Sequence, residues 1–125
     1  DIRFAKPFGF FAYNKLQLHS HCAVSDSGTI SEESSILGFP AVTVRKSIER
    51  PEAMDTGAIT LAGLQADAVL ECIREVARQW AAGEVPEVPQ DYRIENTSQR
   101  VLNLILGTAR LHGDWSGFND RAFER

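Results

Sequence analysis

The sequence predicts an α/β fold, a small parallel sheet whose strands are each followed by a helix. Short apolar runs rich in branched residues, Cys22–Ser25, Phe39–Val44 and Ala58–Leu61, alternate with stretches of helical periodicity. Asp26-Ser27-Gly28-Thr29, Gly38 and Gly57 punctuate them as turns and helix stops. Strands and helices joined in alternation by short loops imply parallel βαβ units.

The chain opens with Asp1-Ile2-Arg3-Phe4-Ala5-Lys6-Pro7, which reads as a strand ending at a proline, with no initiator methionine. That is an entry into the middle of a fold, or equally a trimmed polypeptide. Phe8-Gly9-Phe10-Phe11-Ala12-Tyr13 is an aromatic loop leading into a helix through about His19, although Leu16 and Leu18 make no clean stripe. Cys22–Ser25 follows as a short buried strand, then a helix over Ile30–Leu37 ended by Gly38, then the second strand, Phe39–Val44.

A polar loop, Arg45–Arg50, precedes Pro51, which suits a first helical position because its missing N–H has no intrahelical partner there. Gly57 stops that helix, and Ala58–Leu61 is the third strand. Ala66, Val69, Leu70, Ile73, Val76, Ala77 and Trp80 keep the 3.6-residue spacing over four turns, with charged residues between them, and read as core. A linker, Ala82–Ile94, carries Pro86 and Pro89. Asn96-Thr97 caps a last helix with Val101, Leu102, Ile105, Leu106 and Ala109 on one side.

The expected organisation is one incomplete domain over 1–113, that helix included, and a polar tail over 114–125 in which Trp115 and Phe118 could dock. About four strands are expected, few for a doubly wound sheet, so the class is a partial Rossmann-like parallel sheet with flanking helices.

The 125 residues suit a single core, and 43% apolar with 24% charged residues is an ordinary globular balance. A net charge of −4 argues against nucleic acid as the main partner, yet leaves room for one small anion held by local donors. Cys22 and Cys72 read as buried thiols rather than a disulfide framework. No apolar run approaches the ~18 residues of a membrane span, which makes a cytoplasmic protein without membrane partners the default. No cluster has metal-ligand spacing, and His19, His21 and His112 form no hydrolytic pairing with Ser, Cys or Asp.

Chemistry concentrates at Asp26-Ser27-Gly28-Thr29, which closes a strand and opens a helix. Ligands of open α/β sheets bind beyond such strand ends. Helix-opening amides favour a phosphate, Gly28 allows close approach, and Ser27 and Thr29 add hydroxyl donors. Glu33, four residues after Thr29, lies on the same face and could accept hydrogen bonds from a ribose diol. The same turn serves as readily as a structural cap. Arg45 and Arg50 at the same edge could neutralise a diphosphate, or could pair in solvent with Glu49 and Glu52.

The run from Ser25 to Pro40, SDSGTISEESSILGFP, followed by Arg45 and by Glu49-Arg50-Pro51-Glu52, closely resembles the non-hydrolysing UDP-N-acetylglucosamine 2-epimerases. Pro7-Phe8-Gly9-Phe10-Phe11 and Tyr13-Asn14-Lys15-Leu16-Gln17 resemble the branch of capsule polysaccharide and O-antigen pathways that makes UDP-N-acetyl-L-fucosamine. The resemblance runs from about Arg3 to the last helix. It implies the C-terminal domain of a GT-B-type epimerase, with UDP or a UDP-sugar as partner and no cofactor. Ser27, Gly28 and Thr29 then match the diphosphate turn, Glu33 the ribose-binding carboxylate, Arg50 a nucleotide-contacting arginine, and Tyr13 an aromatic near the uracil.

Thr29, Lys46, His19 and His21 depart from the family's usual residues. The family reaction inverts C2 by eliminating UDP and adding it back, with acid, base and histidine drawn from regions upstream of Asp1. No catalytic residue is therefore assigned in this chain. The expectation is a UDP-binding portion of such an epimerase, not competent alone. The alternative is a truncated, non-catalytic nucleotide-binding module, or one that self-associates as a homodimer through its sheet edge.

Overall fold

The computed structural model describes residues 2–49 and 51–115. Contacts divide the chain at Arg93/Ile94 into two compact units. The first contains α1 (Phe10–Leu18), β1 (Ala23–Ser25), α2 (Ile30–Leu37), β2 (Ala41–Thr43), α3 (Pro51–Asp55), β3 (Thr60–Leu61), α4 (Ala66–Ala81) and a 3₁₀ turn at Gln90–Arg93. The second contains α5 (Thr97–Thr108) and α6 (His112–Trp115).

The sheet is parallel, in the order β1-β2-β3. Val24 stands opposite Val42, and Val42 opposite Thr60. The ladder runs one residue past the strands, with Val44 N–H donating to the Ser25 carbonyl and Ala62 N–H to that of Thr43, both at 3.0 Å. Flanked on both sides, β2 has all three residues buried, the near-continuous burial expected of a central parallel strand. Because every strand runs the same way, the turns leaving β1, β2 and β3 share the carboxyl edge.

The core gathers Ile30, Phe39, Ala41, Ala53 and Ile59, with Ala23, Ile48, Ala58 and Tyr92 packed against it. From α2 the buried residues are Ile30, Ser31, Ser34 and Ser35, while Ile36 and Leu37 are exposed. Serines serve there because the Ser34 and Ser35 hydroxyls donate back to the Ser31 carbonyl, at 3.3 and 2.6 Å, and leave no donor stranded. Gly38, at φ 73° and ψ 67°, ends α2 in the left-handed region, its N–H returning to the Ser34 carbonyl at 2.9 Å. The Tyr92 hydroxyl donates to Glu52 Oε1 at 2.9 Å and ties the 3₁₀ turn to α3.

Several expectations need correction. Ile2–Pro7 form no strand, and Ile2 and Phe4 are 86% and 98% exposed. Asp1 lies outside the described residues. A strand needs a ladder partner, and among the described residues β1 pairs only with β2, so three strands stand there where about four were expected. The stripe of α4 is core only in part: Val76 and Ala77 are buried, Ala66 is exposed and Leu70 is 48% exposed. Sixteen helical residues extend about 24 Å, whereas three strand residues extend about 10 Å, so the helix overhangs the sheet. In α5 the expected apolar side exists, but Val101, Leu102, Ile105 and Leu106 are exposed. Trp115 is 68% exposed, and Phe118 lies outside the described residues.

Two stability measurements follow. Gly38→Ala meets no atom within 4 Å, so its cost is backbone strain alone, about 1 kcal/mol, read as a lowered urea midpoint with unchanged slope. Tyr92→Phe strands an acceptor on Glu52 and costs about 1 kcal/mol, whereas an exposed substitution such as Gln99→Ala stays within about 0.5 kcal/mol.

Candidate functional site

The β1–α2 turn is organised by its own side chains. The Ser25 hydroxyl accepts from the Ser27 amide at 3.0 Å, and the Ser27 hydroxyl accepts from the Thr29 amide at 3.3 Å. Ser27 Oγ and Thr29 Oγ1 are 3.0 Å apart and share a hydrogen bond. Ser27 and Thr29 are exposed and Gly28 is half-buried. Thr29 makes no side-chain cap on α2, so the opening amides of that helix, which lack intrahelical acceptors, are not covered by it.

The Thr29 hydroxyl instead donates to Glu33 Oε1 at 2.7 Å. Spacing four residues apart on a helix brought the two together, as the sequence indicates. The second carboxylate oxygen, Oε2, accepts from Gln17 Nε2 at 2.7 Å, a bond between α1 and α2. Gln17 is buried, at 5% exposure. Tyr13, one helical turn before Gln17, shares with Glu33 a cavity of about 270 Å³, which Phe10 and Leu37 also line. Ser27, Thr29, Glu33, Gln17 and Tyr13 thus form one continuous neighbourhood, with Gly28 inside the turn.

Chemically this neighbourhood offers the Glu33 carboxylate as acceptor, with Glu32 also lining the cavity, together with two exposed hydroxyls, helix-opening amides and an aromatic face. Thr29 has its proton on Glu33, so presenting that donor to an anion requires the hydroxyl to rotate. A ligand hydroxyl arriving at Glu33 Oε1 would replace it. The arrangement suits a ligand carrying both an anionic group and vicinal hydroxyls.

Arg45 is half-buried just beyond β2 at the same edge, and Lys46 is exposed. Arg50 lies outside the described residues. Glu52 is not a solvent partner for an arginine alone, since its Oε1 holds Tyr92. His19 caps the C-terminus of α1 and is exposed, as is His21, while His112 sits in the second unit. Among the described residues no group of three or more His, Cys, Asp or Glu could hold a metal, and no helix is long and apolar enough to cross a membrane. Cys22 is half-buried, and burial pushes its thiol up to about 11. A larger cavity of about 590 Å³ lies against α4, beside Cys72 and the exposed Glu75–Arg78 pair, and shares no lining residue with this neighbourhood.

Sequence reasoning missed Gln17 and Tyr92. Gln17 carried a usable signal, its four-residue spacing from Tyr13 on one helix face. Tyr92 carried none, because its partner is 40 residues away in the chain.

Residues 1–106 match the family model described as UDP-N-acetylglucosamine 2-epimerase. The chain is similar to the UDP-N-acetylglucosamine 2-epimerase of Methanococcus maripaludis, 27% identical over 85% of this chain and 28% of that protein. To that of Neisseria meningitidis serogroup A it is 28% identical, over 85% of this chain and 29% of the other. Among solved structures it matches the UDP-N-acetylglucosamine 2-epimerase of Rickettsia bellii, with a TM-score of 0.81 and 34% identity over 94% of this chain and 32% of that one. The chain therefore spans less than a third of the length of these relatives. Its parallel sheet with flanking helices is the partial Rossmann-like, GT-B-type arrangement expected. By its sequence and its fold, the chain belongs to the UDP-N-acetylglucosamine 2-epimerase family.

Proposed function

We propose that this chain is a UDP-binding portion of a UDP-N-acetylhexosamine 2-epimerase, gripping the nucleotide while C2 inversion is carried out by groups outside these 125 residues. The observation that carries the reading is the Glu33 carboxylate, held from two sides beside the β1–α2 turn at the carboxyl edge of the sheet. Family membership adds support.

In this reading the diphosphate meets the amides and hydroxyls of Ser27, Gly28 and Thr29, the ribose diol meets Glu33, and Arg50 adds a charge-assisted contact. Tyr13 stacks near the uracil, across the cavity it shares with Glu33. Epimerisation by elimination and re-addition of UDP needs an acid and a base on opposite faces of C2 and stabilisation of the departing diphosphate. This chain contributes to the last of these alone. Pro7–Phe11, Tyr13–Gln17 and Thr29 favour, as substrate, a sugar nucleotide of the UDP-N-acetyl-L-fucosamine branch used in capsule and O-antigen synthesis.

Titration with UDP, followed by amide NMR, is expected to perturb Ser27 to Glu33. Arg50→Ala is expected to lose about 1.5–3 kcal/mol of UDP affinity by calorimetry. An unchanged affinity would remove Arg50 from the site. In a coupled UDP-sugar assay the chain alone should give no turnover, and measurable epimerisation would place the catalytic groups within it.

A further inference from the structure

Gln17 is the one buried residue of α1, a helix whose Phe10, Phe11 and Leu16 are more than half exposed. Burying an amide there is unfavourable. Its Nε2 is satisfied by Glu33, but its Oε1 is buried with no hydrogen-bond partner among the described residues. An apolar side chain of similar length, such as methionine, would fill the same space without a stranded acceptor. A polar end that weakens packing, and whose single bond holds a carboxylate, points to a role outside folding.

The two oxygens of Glu33 are held differently. Oε2 is bound by a buried side chain from another helix, so its direction is set by the packing of α1 on α2. Oε1 is bound by the exposed hydroxyl of Thr29, which can turn away. Incoming hydroxyls can displace Thr29 but not Gln17. Because the amide is neutral, it fixes the carboxylate without cancelling its charge, and Glu33 stays a strong acceptor.

We infer that Gln17 is a positioning residue: by holding Oε2 it fixes the Glu33 carboxylate so that Oε1 is offered to a ribose hydroxyl. This rests on the reading of Glu33 as the ribose-binding group. Gln17 acts through Glu33 and touches no part of the nucleotide itself.

The test compares UDP with 2′,3′-dideoxy-UDP by calorimetry on the full chain and on Gln17→Met, Glu33→Ala and the double variant. The unaltered chain should prefer UDP about tenfold. Gln17→Met should erase most of that preference, leave affinity for the dideoxy ligand unchanged, and keep or raise the thermal midpoint. In the Glu33→Ala background it should have no further effect. If Glu33→Ala loses the preference and Gln17→Met keeps it, the inference about Gln17 fails while the nucleotide reading stands. If Glu33→Ala keeps it, or UDP does not bind, both fail. Equal loss for both ligands with a falling thermal midpoint would mean that Gln17 merely packs α1, and would also overturn the inference.

Should Gln17→Met not fold, NMR of the unaltered chain decides. The Gln17 side-chain amide protons should stay slowly exchanging in the UDP complex, and fast exchange there would overturn the inference.

Discussion

A single hydrogen bond, from Gln17 Nε2 to Glu33 Oε2, joins the helix before the sheet to the helix that opens the candidate site. Gln17 is the one buried residue of α1, and the side-chain bond it makes to α2 is polar rather than part of an apolar stripe. Through the bond, the position of Tyr13 one turn earlier is coupled to the direction of the Glu33 carboxylate. The low local dielectric around a buried donor strengthens such a contact.

Around this bond the site is already paired with itself. Thr29 occupies Glu33 Oε1, and Ser27 bonds to Thr29. Replacing the Thr29 hydroxyl by a ribose hydroxyl exchanges one hydrogen bond for another, so the net gain from that contact is modest. In the proposed complex, affinity comes mainly from the diphosphate charge and from contact with the aromatic ring, while Glu33 contributes selection for a ligand that carries the diol.

Local signals carried the element order well. Gly38 and Gly57 mark helix ends because each needs a positive φ, at 73° and 74°, and Pro51 opens α3 as its ring geometry allows. The four-residue spacing put Thr29 and Glu33 on one face, where the structure joins them by a hydrogen bond. What failed depended on partners that local sequence does not report. Among the described residues Ile2–Pro7 has strand composition but pairs with no strand, and Leu70 and Ile105 have helical periodicity but stay exposed. Periodicity reports which face of a helix is apolar, not how much of that face meets a neighbour. Gln17 shares one helix face with Tyr13, yet a glutamine on an irregular helix reads as solvated until the facing carboxylate is located.

The most direct measurement is a crystal structure of the chain grown with UDP. Ribose hydroxyls are expected within hydrogen-bond distance of Glu33 Oε1, with the Thr29 hydroxyl turned away from it, the diphosphate on the Ser27–Thr29 turn, and Gln17 still donating to Oε2. Nucleotide seated elsewhere, or a complex in which Glu33 keeps both of its present partners, would contradict it.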